Sequence, residues 1–277
     1  MGDDRDFYVK FWGVRGSIAC PGPEHRRYGG NTSCLEVRCG ERLLVFDAGT
    51  GIRYLGNCLC DDGPLSFNLF LTHTHHDHII GLPFFRPIFE KKNRVQVWAG
   101  HLLPDLNLNG VLCQFMKAPL FPVPPQIFAA DVSFNDFKAG ETLSPTPDVA
   151  LRTAALNHPN GATGYRVEFD GHAICYVTDT EHVPNRPDEN VLRLIDGADI
   201  VVYDSTYTDQ EFPRYVSWGH STWQEGVRLC DLAGVKRLVL FHHDPGHGDD
   251  FMDDVAKAAE ASRPGTTVAR EGLVLRP

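Results

Sequence analysis

The tightest constraint on this chain is the stretch from Phe67 to His78. Phe67-Asn68-Leu69-Phe70-Leu71 is a short apolar run of the kind that forms a buried strand. It passes directly into Thr72-His73-Thr74-His75-His76-Asp77-His78. Four potential metal ligands, His73, His75, Asp77 and His78, fall within six residues there. In extended backbone His73 and His75 project to the same side. Asp77 and His78 follow as the chain turns toward Gly81 and Pro83, which can aim them at a second point nearby. Two imidazoles at one point, and a carboxylate plus an imidazole at the next, make half of a dinuclear metal site. Catalytic sites of that kind hold their ions about 3.5–4 Å apart. A solvated histidine-rich loop would have no need to follow a buried strand so closely.

Strands and helices alternate through the rest of the chain. Phe7 to Trp12, Ser33 to Arg38, Arg42 to Asp47 and Val95 to Trp98 read as strands, with a hairpin turn at Gly40 and a short helix over Ile52 to Leu59. A helical segment is expected over 81–90, around Pro83 and Pro87. Residues 100–130 hold five prolines and many large apolar side chains. That is too apolar for a linker, so a lid or a partner surface is expected. Val149 to Leu156, Gly164 to Phe169, Ala173 to Thr178, Ile200 to Tyr203, Arg237 to Phe241 and Thr267 to Leu275 read as later strands, with Asp170-Gly171 as a type I′ turn. A helix is expected over 188–196. Another starts at Ser221 or Thr222, with Glu225 completing a capping box and Val227, Cys230 and Leu232 facing inward. Phe251, Val255 and Ala258 mark the inner face of a last helix. His158, Asp179, Asp204 and His242 each stand at a strand end, where a layered fold builds its site.

At 277 residues with 42% hydrophobic content, the chain can bury a sizeable core. No linker divides it, so one domain over 1–277, with halves 7–130 and 149–277, is expected. The net charge of −10 disfavours a general nucleic-acid coat protein. No apolar run approaches the ~18–20 residues of a membrane span. The opening residues show no secretory signal, and Asp6 spoils a myristoylation pattern, so a cytoplasmic protein is expected. The eight cysteines form no C-x-x-C pair and are expected to pack as small hydrophobes. Cys58-Leu59-Cys60 is the one close pair, a minor candidate for redox chemistry.

The order H-x-H-x-D-H, Asn157-His158-Pro159, Thr178-Asp179-Thr180, Gly219-His220-Ser221-Thr222 and Phe241-His242-His243 resembles the phosphodiesterase branch of the metallo-β-lactamase superfamily. That branch includes ribonuclease Z, cyclic-phosphate diesterases and cyclic-nucleotide phosphodiesterases. The resemblance runs from about Phe11 to Pro245. It implies an α/β fold, an αββα sandwich of two mixed sheets with helices outside. It also implies one ion on His73, His75 and His158, a second on Asp77, His78 and His242, and Asp179 bridging the two. Strand phase puts His242 and His243 on opposite sides, and the family spacing favours His242. Two divalent ions are expected, zinc first, with manganese or iron also suited to the donor set. The site lacks both the cysteine ligand of many β-lactamases and the Glu of H-x-E-x-D-H, which favours phosphate-ester hydrolysis.

His220 precedes a helix N-terminus, an electropositive place for a phosphate. The resemblance implies that it protonates the leaving oxygen, oriented by Asp204, with Asp77 the third member of the catalytic group. Asp47 is expected behind a ligand imidazole, and Asn31 and Ser221 beside the substrate. The expected reaction is hydrolysis of a small phosphodiester, such as a cyclic nucleotide, by water activated between two ions. A tRNA- or RNA-processing endonuclease of the ribonuclease Z type is the main rival. No Gly-rich basic arm supports it, and a basic groove from Arg15, Arg26, Arg27 and Arg53 would. The same metal pair could instead open a thioester or lactone, and a non-catalytic binding module could retain the fold without turnover. A homodimer is expected, and a membrane partner is not.

Overall fold

Side-chain alternation along the strands decides the layering. In Arg42–Phe46, Leu44 and Phe46 face one way and Leu43 and Val45 the other, and all four are buried. Ile200–Asp204 repeats the pattern, with Ile200 and Val202 inward and Val201 and Tyr203 outward. Strands buried on both faces need a second sheet on one side and helices on the other.

The computed structural model describes residues 6–59 and 63–277. The strands are β1 (Phe7–Gly13), β2 (Cys34–Cys39), β3 (Arg42–Phe46), β4 (Ser66–Leu71), β5 (Arg94–Ala99), β6 (Asp131–Asp136), β7 (Thr142–Thr146), β8 (Val149–Leu156), β9 (Ala162–Phe169), β10 (His172–Val177), β11 (Ile200–Asp204), β12 (Arg237–Phe241), β13 (Thr267–Val268) and β14 (Val274–Leu275). The helices are α1 (Ile52–Leu59), α2 (His76–Ile79), α3 (Leu108–Phe115), α4 (Glu189–Ile195), α5 (Trp223–Leu232) and α6 (Asp249–Ser262). Seven strands form one mixed sheet in the order β14-β1-β2-β3-β4-β5-β6, and seven form the other in the order β13-β12-β11-β10-β9-β8-β7. Phe11, Phe46 and Phe70 of the first sheet meet Tyr165, Tyr176 and Phe241 of the second in the inner core. An outer core lies under α1 and α3, and another under α4, α5 and α6. This is the expected αββα sandwich.

The Asp170-Gly171 turn joins β9 to β10 with both residues at positive φ, as a type I′ hairpin requires. Other expectations need correction. Residues 81–90 form two 3₁₀ turns, Leu82–Phe84 and Arg86–Phe89, each with a proline at its start. Proline fits a first turn but breaks a continuing helix. Thr267 to Leu275 is not one strand. The chain leaves β13 on the second sheet, turns at Gly272 and adds β14 to the first. In α6 the buried face is Met252, Val255 and Ala259, leaving Phe251 and Ala258 outside. In α5, Val227, Leu229 and Cys230 are buried and Leu232 is exposed. Thr222 is the N-cap and accepts from the Glu225 N–H, but the Glu225 carboxylate turns to Arg228 instead of closing the box. Part of the 100–130 segment is structural, since Leu108 and Leu112 of α3 pack against the first sheet and Met116 at the helix end is buried. Cys34, Cys39, Cys175 and Cys230 are buried and free, and Cys60 of the close pair lies outside the described residues.

Phe46 touches the inner core from the strand that delivers Asp47. Its ring stands 5.4 Å from Phe70, 5.2 Å from Tyr165 and 6.1 Å from Tyr176. Phe46→Ala is expected to lower stability by about 3–5 kcal/mol, the usual range for emptying an aromatic site in a packed core, read from urea unfolding.

Candidate metal centre

The site grows from strand ends along one edge. Asp47 directly follows β3 and His242 directly follows β12, His73, His158 and Asp179 come two residues after β4, β8 and β10, and Asp204 ends β11. Asp47, Asp179 and His242 all adopt left-handed backbone, with φ of 60°, 59° and 63°. Each such residue costs on the order of 1–3 kcal/mol and persists where its surroundings hold it. Here the kink swings a side chain off the strand end and into the space between the sheets. The backbone of the Gly13–Ser17 loop also crosses close by. A β-carbon on Gly16 would lie 2.4 Å from the His242 ring, so only glycine fits. The Ser17 N–H donates to Asp77 Oδ2 at 2.8 Å.

The donor atoms fall into four overlapping groups: His73, His75 and His158; Asp77, His78, Asp179 and His242; His158, Asp179 and His220; and Asp204, His220 and His242. In the first, His75 Nδ1 lies 2.9 Å from His73 Nε2 and 3.0 Å from His158 Nε2. In the second, Asp77 Oδ2 lies 3.3 Å from His78 Nε2 and 3.4 Å from His242 Nε2. Asp179 belongs to the second group and also approaches two members of the first. Its Oδ1 is 3.7 and 3.8 Å from His73 and His158, and its Oδ2 is 3.2 and 3.4 Å from His78 and His242. Tetrahedral zinc with bonds of about 2.0–2.1 Å separates its ligand atoms by roughly 3.3 Å. The second group has that spacing.

The remote ring nitrogens settle which way the lone pairs point. His73 Nδ1 donates to Thr72 Oγ1 at 3.1 Å, and His78 Nδ1 to Asp47 Oδ2 at 2.8 Å. His158 Nδ1 donates to the Gly219 carbonyl at 2.8 Å, and His242 Nδ1 to Thr206 Oγ1 at 3.0 Å. In all four rings Nε2 is left to face the cluster. His78 Nε2 is buried with no hydrogen-bond partner. Such an orphaned nitrogen beside two carboxylates is what a cation site looks like when described by its protein atoms alone. Asp47 is itself held by the Thr72 N–H at 2.8 Å and the Tyr176 hydroxyl at 2.9 Å.

Burial pushes the pKa of His73, His75 and His158 down, which keeps these rings neutral and able to bind metal. Burial also opposes charge on His78, but Asp179, Asp77 and Asp47 outweigh it and hold its pKa well above the ordinary value. Asp179, although buried, is held well below the usual carboxylate range by His242, His78 and His73. The field around His78 favours a positive charge, whether carried by a proton or a metal ion.

His220 Nδ1 donates to Asp204 Oδ2 at 3.1 Å and lies 3.8 Å from Asp179 Oδ1. Burial works against its charge. The Asp204 carboxylate and its hydrogen bond overcome that, with Asp179 and Asp77 behind, and push the pKa up to about 9. Asp204 also accepts the N–H groups of Thr180 and Thr206, both at 3.1 Å. His220 is therefore a buried ring held by one nitrogen at the edge of the first two donor groups.

His243 turns away, with Nε2 donating to the Ala269 carbonyl at 2.8 Å and burial pushing its pKa down to about 3. The structure thus brings His242 to the cluster and keeps His243 out of it. Ser221 and Asn31, the two expected substrate contacts, both have hydrogen-bond partners within the protein. Ser221 is fully buried, and its hydroxyl is shared between His182 Nδ1 at 2.9 Å and Tyr203 OH at 3.0 Å. Asn31 binds Glu271 through its side-chain amide and accepts from Thr50 Oγ1 at 3.0 Å. Both brace neighbouring segments. Thr72, Tyr176 and Thr206 are supports that the sequence alone does not single out, and so is His101. Its Nε2 meets Thr74 Oγ1 at 3.2 Å, and burial, with His75 and His158, pushes its pKa down to about 4. Only Thr72, directly before the histidine cluster, carries a local signal.

A family model described as a β-lactamase superfamily domain matches residues 42–243. A ribonuclease Z from Gemmatimonas aurantiaca is 36% identical over 85% of this chain and 87% of its own. Among solved structures, a diphosphatase from the PhnP family superposes with a TM-score of 0.70 at 17% identity, covering 98% of both chains. The zinc-bound PqqB of Methylobacterium extorquens gives 0.73 at 21% identity, covering 98% of this chain and 100% of its own. The family match and the relatives identify a metal-dependent hydrolase, and the donor set agrees with it. The chain belongs to the metallo-β-lactamase superfamily, in its phosphodiesterase branch. Among the described residues no helix is long and apolar enough to cross a membrane.

Asp47→Asn replaces the acceptor behind His78 with a weaker one. Metal affinity is expected to fall about 10–100-fold, the usual effect of losing such a partner, measured by chelator competition.

Proposed function

We propose that this chain hydrolyses phosphodiesters with two divalent cations, zinc first, held by the first two donor groups. The reading is carried by Asp179, whose two oxygens are divided between His73 and His158 on one side and His78 and His242 on the other. The zinc-bound neighbour supports zinc. In the assignment His73, His75 and His158 would hold one ion and Asp77, His78 and His242 the other, with Asp179 available to both. Bound there, the cations supply an activated water and positive charge for the phosphoryl oxygens.

The chain's own groups do the rest. His220 offers a proton from Nε2 to the departing oxygen while Asp204 fixes the ring through Nδ1. Thr206 ties that pair to the opposite wall, since its hydroxyl donates to Asp204 Oδ1 at 2.8 Å and receives His242 Nδ1. Asp77 is oriented by the Ser17 N–H.

Two substrate classes have their own support. Burial of Arg15 favours a small diester. Its hydrogen bonds go to the carbonyls of Gly29, Asp244 and His247. Arg27 is engaged by Asp249, Asp250 and Asp253. Two of the four arginines that could have formed a basic groove are thus committed elsewhere. The relatives named ribonuclease Z favour RNA. A panel containing cyclic nucleotides and a precursor tRNA with a 3′ trailer separates the classes.

The first test is hydrolysis of bis(p-nitrophenyl) phosphate by metal-loaded protein. His220→Ala is expected to lower turnover by about 10²–10⁴-fold with metal content unchanged, as for loss of a general acid. Asp179→Ala is expected to abolish both activity and stable metal loading. Metal-loaded protein inactive on every phosphodiester would overturn the reading, and metal loss from His220→Ala would overturn the role of His220.

A further inference from the structure

A cavity of about 460 Å³ opens beside His73 and His75. One wall is the loop after β5 and the exposed side of α3, with His101, Asp105, Leu106 and Gln114. The facing wall is Asn160 and Gly161, just after His158. Its volume is in the range of pockets that hold small organic ligands, roughly 300–1,000 Å³.

Its chemistry is specific. Leu103 and Leu106 stand 46% and 53% exposed at this place, although the same segment buries Leu102, Leu108 and Leu112 nearby. Folding gains nothing from leaving them in water, whereas an apolar ligand face would cover them. Beside the Asp105 carboxylate, the polar lining away from His73 and His75 consists of the Thr74 hydroxyl, the Gln114 and Asn160 amides and the His101 ring, whose Nδ1 is buried with no partner. Among the described residues no lysine or arginine lines the cavity, and Asp105 brings its one carboxylate outside the histidine cluster. A second phosphate would meet that carboxylate with no cation to receive it.

Resting on the phosphodiesterase reading, we propose that this cavity is the subsite for the organic group of the substrate, and that it selects an uncharged heteroaromatic group of nucleoside size. Flat apolar faces would lie on Leu103 and Leu106, and polar ring edges would meet Gln114, Asn160 and His101. The segment 100–130 is then in part a specificity wall. A nucleic-acid strand continuing through the cavity, with its next phosphate, is disfavoured.

The test compares thymidine 5′-(p-nitrophenyl phosphate) with methyl p-nitrophenyl phosphate, which share a leaving group. The kcat/KM ratio is expected to favour the thymidine ester. Gln114→Trp, which fills the cavity from its rim, is expected to lower that ratio about tenfold, a typical cost of losing apolar pocket contacts. A 3′-phosphate on the thymidine ester is expected to lower kcat/KM, and Asp105→Asn to recover part of the loss. A ratio unmoved by Gln114→Trp, or a 3′-phosphate accepted without loss, overturns the proposal. Thymidine binding by calorimetry, with and without metal, reads the cavity apart from turnover. Binding weakened by Gln114→Trp supports the subsite even if neither ester is hydrolysed, an outcome that would count against the phosphodiesterase reading alone. Absent thymidine binding overturns the subsite.

Discussion

Buried like charge is the condition that the rest of this molecule has to satisfy. Asp47, Asp77 and Asp179 surround His78, all with little or no exposure to water, and Asp204 lies one ring further on. Isolated carboxylates in such a place would be expensive. They are tolerated because backbone N–H groups from Ser17, Thr72, Thr180 and Thr206, together with the Tyr176 hydroxyl, are aimed at them. Imidazoles complete the neutralisation, and they come from segments of the chain far apart in sequence. The sandwich holds these segments together, and its aromatic inner core begins one residue from Asp47 at Phe46.

Two kinds of rigidity meet at the strand ends. β3, β4, β10, β11 and β12 are buried on both faces over nearly their whole length, which fixes where each of those chain segments emerges. At Asp47 and His242 the residue after the strand then takes a left-handed turn, and at Asp179 the second residue does, which fixes direction. This division explains why the histidines converge without a local helix scaffold: α2 is only four residues long. Precision comes from the sheets, and the loops need only one defined backbone state each.

Much of this is legible in the sequence because the signals are local. The apolar run ending in H-x-H-x-D-H marks a strand and half the donor set, and Asp170-Gly171 marks a hairpin to the residue. What the sequence hides depends on distant partners. Ser221 looks available beside His220, but its hydroxyl is taken by His182 and Tyr203 from other segments. Asn31 looks free in a glycine-rich loop until Glu271, 240 residues away, claims its amide. β6 and β7 escape a sequence reading because edge strands need little apolar patterning, and β7 even contains Pro145. The last helix keeps Val255 of its expected apolar face but buries Met252 and Ala259 in place of Phe251 and Ala258, and Phe251 stacks on His247 at 3.9 Å.

The crossing from β13 to β14 has a consequence for synthesis. Glu271, in the turn between them, holds the backbone N–H and side-chain amide of Asn31. The Asn31 carbonyl in turn receives the Val14 and Arg15 N–H groups, and that segment leads to Ser17 and so to Asp77. A chain emerging from a ribosome would therefore carry every donor atom of the first two groups by His242, yet lack the tie that fixes the Ser17 loop. Vectorial folding can build the first sheet's inner strands early. The tie from Glu271 to Asn31 can form only once the turn between β13 and β14 has been synthesised, which is later than the last donor, His242.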